Sequence, residues 1–487
     1  MFKRIYILGA GNLGAFVAHS LAGIPSPPPI TLLLKRRQLQ YFIDRDSSID
    51  LITRGTTETR RGFQTEQIVP FSQTFSAQED TSPVAPNSNF SDSFDLGNNQ
   101  KDQNSSLTSI AVAEKHSNEK SQTLDKIVQE HHDPSSQSYP FSDIQVNTHS
   151  PGGSRSGGAY NTDDERTLGD ASLNIKDNEE LSSLEDEGRQ SGLQPDQDIN
   201  ESNKIILNLI VSVKAPHTVK AIQSVIHRIN RESSILFLQN GMGIVDEVNE
   251  KLFPDESSRP TYIIGVVSHG LYSTRAFSVV HAGEGTISLG AMPHLPMTEQ
   301  QDSARLTLLT ASARYLLRTM TRTPVFVAVG FPPTDLLQQQ LDKLAVNCII
   351  NPLTAILDCN NGALRSNTNL TRVIRLLLAE ISLVIKNLPE LKNVPNVEMR
   401  FDTMRLERLV FLIANATAGN NSSMLQDLRG SKPTEIDYIN GYIVKRGQEM
   451  GVHCVMNYML LHMVKGKRRI TYAKGETLPF AGANTGK

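Results

Sequence analysis

The chain begins with a strand-like segment that leads into three closely spaced glycines and then into a helical pattern. In RIYILGAGNLG the apolar run ends at Leu8, and the glycines follow in the spacing G-x-G-x-x-G. The first glycine suits a tight turn, the second lets the backbone approach a diphosphate, and the third lets the helix pack closely. The start of that helix presents free N–H groups to phosphates. This start predicts a dinucleotide-binding βαβ unit with cofactor contacts from Gly9, Ala10, Gly11, Asn12, Leu13 and Gly14.

Apolar strands alternate with helical segments through most of the N-terminal half. Strand-like runs include ITLLLK, KIILNLIVSV, SILFLQ and TYIIGVV, with a helix expected near 217–229 and hairpins near 51–70 and 277–290. This alternation is typical of an α/β fold with a doubly wound parallel sheet. Beyond residue 330 the pattern is helical throughout, with helices expected at 335–357, 370–388, 397–416, 434–450 and 457–468. We therefore expect a Rossmann domain (1–75 and 201–330), an all-α domain (331–475) and a short tail (476–487).

Residues 76–200 differ sharply from both flanks. They are rich in Ser, Asn, Asp, Gln and Gly, and carry 23 acidic against 8 basic residues, which leaves 28 acidic and 40 basic residues elsewhere. Without periodic apolar positions such a segment cannot bury a core, so it is expected to be a disordered acidic insert. A partner-binding or phosphorylated segment is one interpretation, and unselected padding is the other. The basic surplus of the body is diffuse, which favours small anionic ligands over nucleic acid.

Cysteine content and hydropathy limit the compartments in which the protein is expected to occur. The three cysteines, Cys348, Cys359 and Cys454, form no C-x-x-C pair and are odd in number, which predicts reduced thiols and no metal site. No apolar run approaches the roughly 18 residues of a membrane span. The first strand begins near residue 3, which leaves no room for a presequence. We expect a cytoplasmic protein with no membrane partner, and a mitochondrial location stays open.

Cationic and amide side chains follow several of the predicted strands. Lys35, Arg36 and Arg37 come at the end of the second strand, where an acidic residue would grip the ribose of NAD. Cations there suit a 2′-phosphate, so NADP(H) is favoured. The alternative is that these residues form a basic turn exposed to solvent, with no ligand. Lys214 and Asn240 end two further strands, at the sheet edge where open α/β sheets bind ligands.

An otherwise apolar helix carries a polar strip. In KLAVNCIINPLTAI, Lys343, Asn347 and Asn351 are spaced four residues apart and therefore share one face. The lysine could reach solvent while the amides bond nearby backbone. Alternatively the strip could line a cleft, with the lysine as a proton donor. The helix alone leaves both interpretations open.

Taken in order, the glycine loop, VKA, QNGMG, KLAVNCIINPLTAI with NGAL, and SSMLQD with TEIDYINGYIV closely resemble the ketopantoate reductase (2-dehydropantoate 2-reductase) family. The resemblance covers both domains and excludes the insert. It implies NADP(H)-dependent reduction of 2-dehydropantoate to (R)-pantoate, on the route to pantothenate and coenzyme A, in a cleft between the two domains.

The same resemblance assigns roles to individual residues. It implies Lys343 as the catalytic lysine and Glu435 as an acid that bears on the lysine and the substrate hydroxyl. It implies Lys214 at the cofactor edge and substrate contacts from Asn240, Asn347, Asn361 and Ser423, with Asn240 also near the nicotinamide. On the residues alone, Glu435 in PTEID could equally be an ordinary acid at a helix start.

The chain departs from the family pattern at one position that affects packing. Two alternative functions also stay open. Leu341 stands where the family commonly has tryptophan, and this chain contains none. The rivals are a reductase of another bulky 2-keto acid and a noncatalytic NADP-binding scaffold. A small-molecule substrate is expected, while a homodimer and a protein partner for the insert are left open.

Overall fold

The computed structural model describes residues 3–68, 204–292, 309–365 and 367–476, which belong to one structural unit. The predicted insert and nearly all of the predicted tail lie outside these residues. Twelve strands are described: β1 (Ile5–Leu8), β2 (Ile30–Leu34), β3 (Ile49–Thr53), β4 (Thr56–Arg60), β5 (Gln64–Gln67), β6 (Asn208–Val211), β7 (Ser234–Phe237), β8 (Thr261–Val267), β9 (Gly270–Arg275), β10 (Ser278–Gly283), β11 (Ile287–Ala291) and β12 (Ala328–Gly330).

Eight of these strands form the main sheet in the spatial order β12-β11-β8-β7-β6-β1-β2-β5. Every neighbouring pair is parallel except β8 and β11, which run antiparallel. The central strands β1, β2, β6 and β7 are buried along their whole length, which explains their continuous apolar runs. The fold is therefore the expected Rossmann type, with a mixed rather than wholly parallel sheet.

The other four strands form a second sheet in the order β4-β3-β10-β9, which the sequence did not predict. The hairpin expected near 277–290 is wrong, because β10 pairs with β3 and β9 while β11 joins the main sheet. The hairpin expected near 51–70 is only partly right. β3 and β4 form one around Arg54 and Gly55, whose positive φ angles suit a tight hairpin turn, but β5 pairs with β2 in the main sheet.

Five helices accompany the sheets: α1 (Asn12–Ala22), α2 (Arg36–Asp44), α3 (Thr218–Gln223), α4 (Ile244–Leu252) and α5 (Ala311–Thr321). The single helix expected near 217–229 is wrong, since α3 is short and lies between two turns of 3-10 helix. Helix α5 was not predicted.

The C-terminal part is helical, as expected: α6 (Pro333–Leu357), α7 (Thr368–Lys386), α8 (Val397–Arg400), α9 (Thr403–Ala416), α10 (Ser423–Arg429), α11 (Asn440–Glu449) and α12 (Val455–Glu476). Helix α6 packs against α7, α9, α10 and α12, so it forms the centre of this part. The helix expected at 397–416 is two helices, because Asp402 caps the start of α9 by accepting from two backbone N–H groups. The helix expected at 434–450 begins only at Asn440, after a 3-10 turn.

Within the described ranges, no helix is long and apolar enough to cross a membrane. All three cysteines are free, and Cys348 and Cys454 are buried.

A buried arginine ties together the two chain segments that flank residues 69–203. Arg228 Nη1 donates to Glu66 Oε2 at 2.5 Å, and Arg228 Nε donates to the Lys204 carbonyl at 2.8 Å. The side chains of Arg228 and Glu66 are only 4% and 17% exposed. This pair therefore fixes β5 against the chain that leads into β6.

We expect Arg228→Leu to lower the free energy of unfolding by about 2–3 kcal/mol, because it leaves the half-buried Glu66 carboxylate without its charged hydrogen-bond partner. Urea unfolding would measure the change. The double variant Arg228→Leu with Glu66→Gln should recover part of the loss, since no unpaired charge remains. A double variant less stable than Arg228→Leu would contradict this account.

Candidate active site

The glycine loop leaves open space at the N-terminus of α1. Gly9 has φ +108°, and a Cβ there would lie 2.6 Å from the Val213 nitrogen. A Cβ on Gly14 would lie 1.8 Å from the Gly9 carbonyl oxygen, so α1 must pack closely against the loop. At Gly11, the residue before α1, a Cβ would meet nothing within 4 Å. The loop therefore fits a diphosphate, with backbone N–H groups at the helix start to hold it.

Cations surround the neighbouring edge of the sheet. Lys35, Arg36 and Arg37 are exposed at the start of α2 and form no ion pair with the described residues. Burial lowers the pKa of His217, and the positive charges of Lys35, Lys214, Arg468 and Lys220 lower it further. A positive potential at this edge suits an anionic ligand.

Lys343 reaches from α6 to the Rossmann part. Its Nζ donates to Asn240 Oδ1 at 2.8 Å and to the carbonyl of Val267, the last residue of β8, at 2.7 Å. Burial lowers the pKa of Lys343 to about 8, and the negative charge of Glu435 opposes this shift. The lysine is thus an ammonium that can release a proton near neutral pH, and it does not extend freely into solvent.

Glu435 lies at the other end of the same hydrogen-bonded chain. Asn240 Nδ2 donates to Glu435 Oε2 at 3.4 Å, and the Ala215 N–H donates to Glu435 Oε1 at 3.1 Å. The residue is 7% exposed and its side chain caps no helix. Burial raises the pKa of Glu435, and the Ala215 hydrogen bond and the Lys214 charge oppose the shift. Asn240 therefore joins an ammonium to a carboxylate through its two amide ends.

The remaining predicted substrate contacts lie at different places. Asn347 lies one helical turn beyond Lys343, and both line a small cavity together with Gln239, Asn240, Gly241, Gly265, Val266, Gln340 and Leu344. Asn361 and Ser423 do not line this cavity. Asn361 Nδ2 donates to Thr417 Oγ1 at 2.9 Å, while its buried Oδ1 has no partner among the described residues. Ser423 is exposed as the first residue of α10, and the buried Ser422 caps that helix instead.

Two groups of this site were missed from the sequence. Asp427 forms an ion pair with Lys214, although the motif SSMLQD gave it no role. The Val267 carbonyl is a backbone group, so the amino-acid sequence does not indicate that this particular carbonyl accepts a hydrogen bond from Lys343. The side chain of Asp427 could have been suspected because it lies four residues, or one helical turn, after Ser423. Among the described residues, no three His, Cys, Asp or Glu side chains are grouped as a metal site would require.

Comparison with known families places the chain. A model described as "Ketopantoate reductase PanE/ApbA" matches residues 171–294, and one described as "Ketopantoate reductase PanE/ApbA C terminal" matches residues 335–468. Together these matches cover more than half of the chain. The chain belongs to the ketopantoate reductase family.

Relatives within the family include fungal and bacterial proteins. The "Probable 2-dehydropantoate 2-reductase" of Schizosaccharomyces pombe is 33% identical over 264 residues, which are 54% of this chain and 74% of that protein. The "2-dehydropantoate 2-reductase" of Vibrio cholerae is 32% identical over 259 residues, 53% of this chain and 76% of that protein. A solved ternary structure of D-mandelate dehydrogenase with NADH and anilino(oxo)acetate shares the fold, with TM-score 0.54, 16% identity and coverage of 96% of this chain and 99% of that one. Membership of the family indicates a nicotinamide dinucleotide cofactor, which the glycine loop fits.

Gly11→Ala should separate cofactor binding from folding. Because nothing in the protein meets the added methyl, we expect the free energy of unfolding to change by about 1 kcal/mol or less. The methyl would occupy the space left for a diphosphate, so the affinity for the nicotinamide dinucleotide should fall by about tenfold or more, which is about 1.4 kcal/mol. Fluorescence titration with NADPH and thermal unfolding would measure the two effects.

Gly14→Ala is the matched comparison. Its methyl would overlap the Gly9 carbonyl, so we expect loss of stability together with loss of binding. If Gly11→Ala bound NADPH as tightly as the unchanged protein, the diphosphate would not lie at this loop.

Proposed function

We propose that this chain catalyses the NADPH-dependent reduction of 2-dehydropantoate to (R)-pantoate, on the route to pantothenate and coenzyme A. The observation that carries the proposal is the placement of Lys343 Nζ, 2.8 Å from Asn240 Oδ1 and joined through that amide to Glu435. A reductase of a 2-keto acid needs a positive group and a proton where charge develops on the carbonyl oxygen. The chain's membership of the ketopantoate reductase family supports this substrate class.

The proposed mechanism assigns one task to each side chain. A bound nicotinamide supplies the hydride. Lys343 stabilises the negative charge that develops on the carbonyl oxygen and donates its proton to that oxygen. Asn240 orients the lysine by accepting one of its three N–H bonds. Glu435 favours the charged form of Lys343, so the proton is available at neutral pH. Asn347 lines the cavity beside Lys343 and supplies a neutral polar group for the rest of the substrate. Substrate contacts from Ser423 and from the unpartnered amide oxygen of Asn361 stay predictions, because neither residue lines that cavity.

We assign the 2′-phosphate contact of NADP(H) to the basic segment that follows β2. Lys35 and Arg36 are exposed and have no acidic partner among the described residues, so their charges are available to an anion. No acidic side chain stands at the end of β2 to hold a ribose diol, as NAD binding would favour. Lys214 adds a further cation at the same edge.

The rival functions have less support. A noncatalytic NADP-binding scaffold needs the glycine loop but has no use for a half-buried ammonium joined through an amide to a buried carboxylate. Leu341, at the family's usual tryptophan position, is fully buried in the helical core, so its change alters packing and not the polar site. A homodimer, a protein partner for residues 76–200 and a cytoplasmic location stay predictions, which mass measurement and cell fractionation can check.

The first test is the oxidation of NADPH, followed at 340 nm, with 2-dehydropantoate and a panel of other 2-keto acids. Lys343→Ala should lower kcat by about 1,000-fold, because general acid catalysis contributes on that order. Lys251→Ala is the matched control: this lysine forms an exposed ion pair with Glu247, so its loss should leave turnover unchanged. Wild-type protein that binds NADPH but reduces no 2-keto acid of the panel would refute the proposal.

The pH dependence provides an independent test of Lys343. Since only the ammonium can donate a proton, kcat/KM for reduction should be level below pH 8 and fall as pH rises through the lysine pKa of about 8. Glu435→Gln removes the charge that raises this pKa, so the alkaline fall should move to lower pH. Lys251→Ala should keep the wild-type profile. A fall at an unchanged pH in Glu435→Gln would show that Glu435 does not act on Lys343.

A further inference from the structure

An ion pair that the proposed mechanism does not use lies next to the cofactor loop. Lys214, which follows β6 of the Rossmann part, pairs through Nζ with Asp427 Oδ2 on α10 of the helical part. The two side chains differ in exposure, at 34% for Lys214 and 10% for Asp427. The lysine is therefore partly open to a ligand, while the carboxylate is enclosed.

The surroundings of Asp427 tie it to this lysine. Among the described residues, Lys214 is the basic side chain that forms an ion pair with the Asp427 carboxylate. Without such a partner, the charged carboxylate would be costly to bury. Burial raises the pKa of Asp427, and the Lys214 charge opposes that shift. A buried acid with one ammonium in contact holds that ammonium in a narrow range of positions.

The backbone of Lys214 lies beside the glycine loop. Ser212, two residues earlier, donates from Oγ to the Gly9 carbonyl at 2.6 Å. Ala215, the next residue, donates its N–H to Glu435 at 3.1 Å. The backbone of Lys214 is thus fixed between the loop that fits a diphosphate and the carboxylate of the active site.

We propose that Asp427 is a positioning residue for the cofactor site, which holds the Lys214 ammonium ready for an anionic group of the bound dinucleotide. A free lysine side chain loses much of its rotamer freedom when it binds a ligand. Asp427 restricts that freedom in advance, so cofactor binding does not have to. The inference rests on the proposed function only for the identity of the dinucleotide.

The test is NADPH affinity, measured by fluorescence titration without substrate, for Asp427→Asn, Lys214→Met and the double variant. We expect Asp427→Asn to weaken NADPH binding about tenfold, which is about 1.4 kcal/mol. In the Lys214→Met background the same change should have no further effect, because there is no ammonium left to position. At saturating NADPH, kcat of Asp427→Asn should stay within about threefold of wild type.

Asp358→Asn is the matched control. Asp358 forms an exposed ion pair with Arg429 on the same helix α10, and its left-handed backbone conformation accepts asparagine, so NADPH affinity should not change. Asp427→Glu keeps the carboxylate, and its affinity should lie between those of wild type and Asp427→Asn. If thermal unfolding shows that Asp427→Asn does not fold, Asp427→Glu replaces it in the affinity measurements.

Two results would overturn the inference. One is an effect of Asp427→Asn, or of Asp427→Glu in its place, that persists undiminished in the Lys214→Met background. The other is a loss of kcat with unchanged NADPH affinity, which would place Asp427 in the chemical step. Because the titration needs no turnover, a protein that binds NADPH but reduces no 2-dehydropantoate would refute the proposed function and leave this test intact.

Discussion

The site depends on a half-buried ammonium whose hydrogen-bond acceptors come from another part of the fold. Lys343 belongs to α6, the central helix of the C-terminal part, yet its acceptors are the Asn240 amide and the Val267 carbonyl of the Rossmann part. A charged group without partners is costly to bury. The lysine is therefore satisfied only where the two parts pack together, and the same packing brings it to the sheet edge that fits the cofactor.

Other polar contacts join the two parts at the same edge. The Ala215 N–H donates to Glu435, and the Met242 N–H donates to the Tyr438 carbonyl at 2.8 Å. Gly241 makes this approach feasible, since a Cβ there would lie 2.5 Å from the Tyr438 oxygen and its φ is +85°. The ion pair of Lys214 with Asp427 lies in the same region. The proposed catalytic and cofactor roles and the contacts between the two parts thus fall on the same few loops after the strands.

Much of this arrangement could be predicted from residue patterns. The glycine spacing, the strip on α6 and the helical C-terminal half all reflect local rules of period and turn chemistry, and the structure has each element in place. The strand errors share one cause: a sequence pattern identifies a strand but not the strand with which it pairs. For β10 and β11 the short connection suggested a hairpin, whereas each strand pairs in a different sheet because its apolar face is buried there. The helix break at Asp402 was missed because its capping side chain competes locally with continuation of the helix. The later start of α11 at Asn440 follows a 3-10 turn and involves no side-chain cap.

By itself, the sequence determined the fold class and the dinucleotide loop, because these follow from local patterns along the chain, and its resemblance to the family pointed to Lys343 as the candidate lysine. Only the tertiary structure decided that Lys343, Asn240 and Glu435 form one hydrogen-bonded chain, that Asp427 holds Lys214, and that Asn361 and Ser423 lie off the cavity that Lys343 lines. The hydrogen bonds among them join residues 76 to 220 positions apart, and one acceptor is a backbone carbonyl, which the identity of its residue does not reveal. The pKa of the lysine is likewise a property of its burial beside Glu435, and no pattern along the chain contains that information.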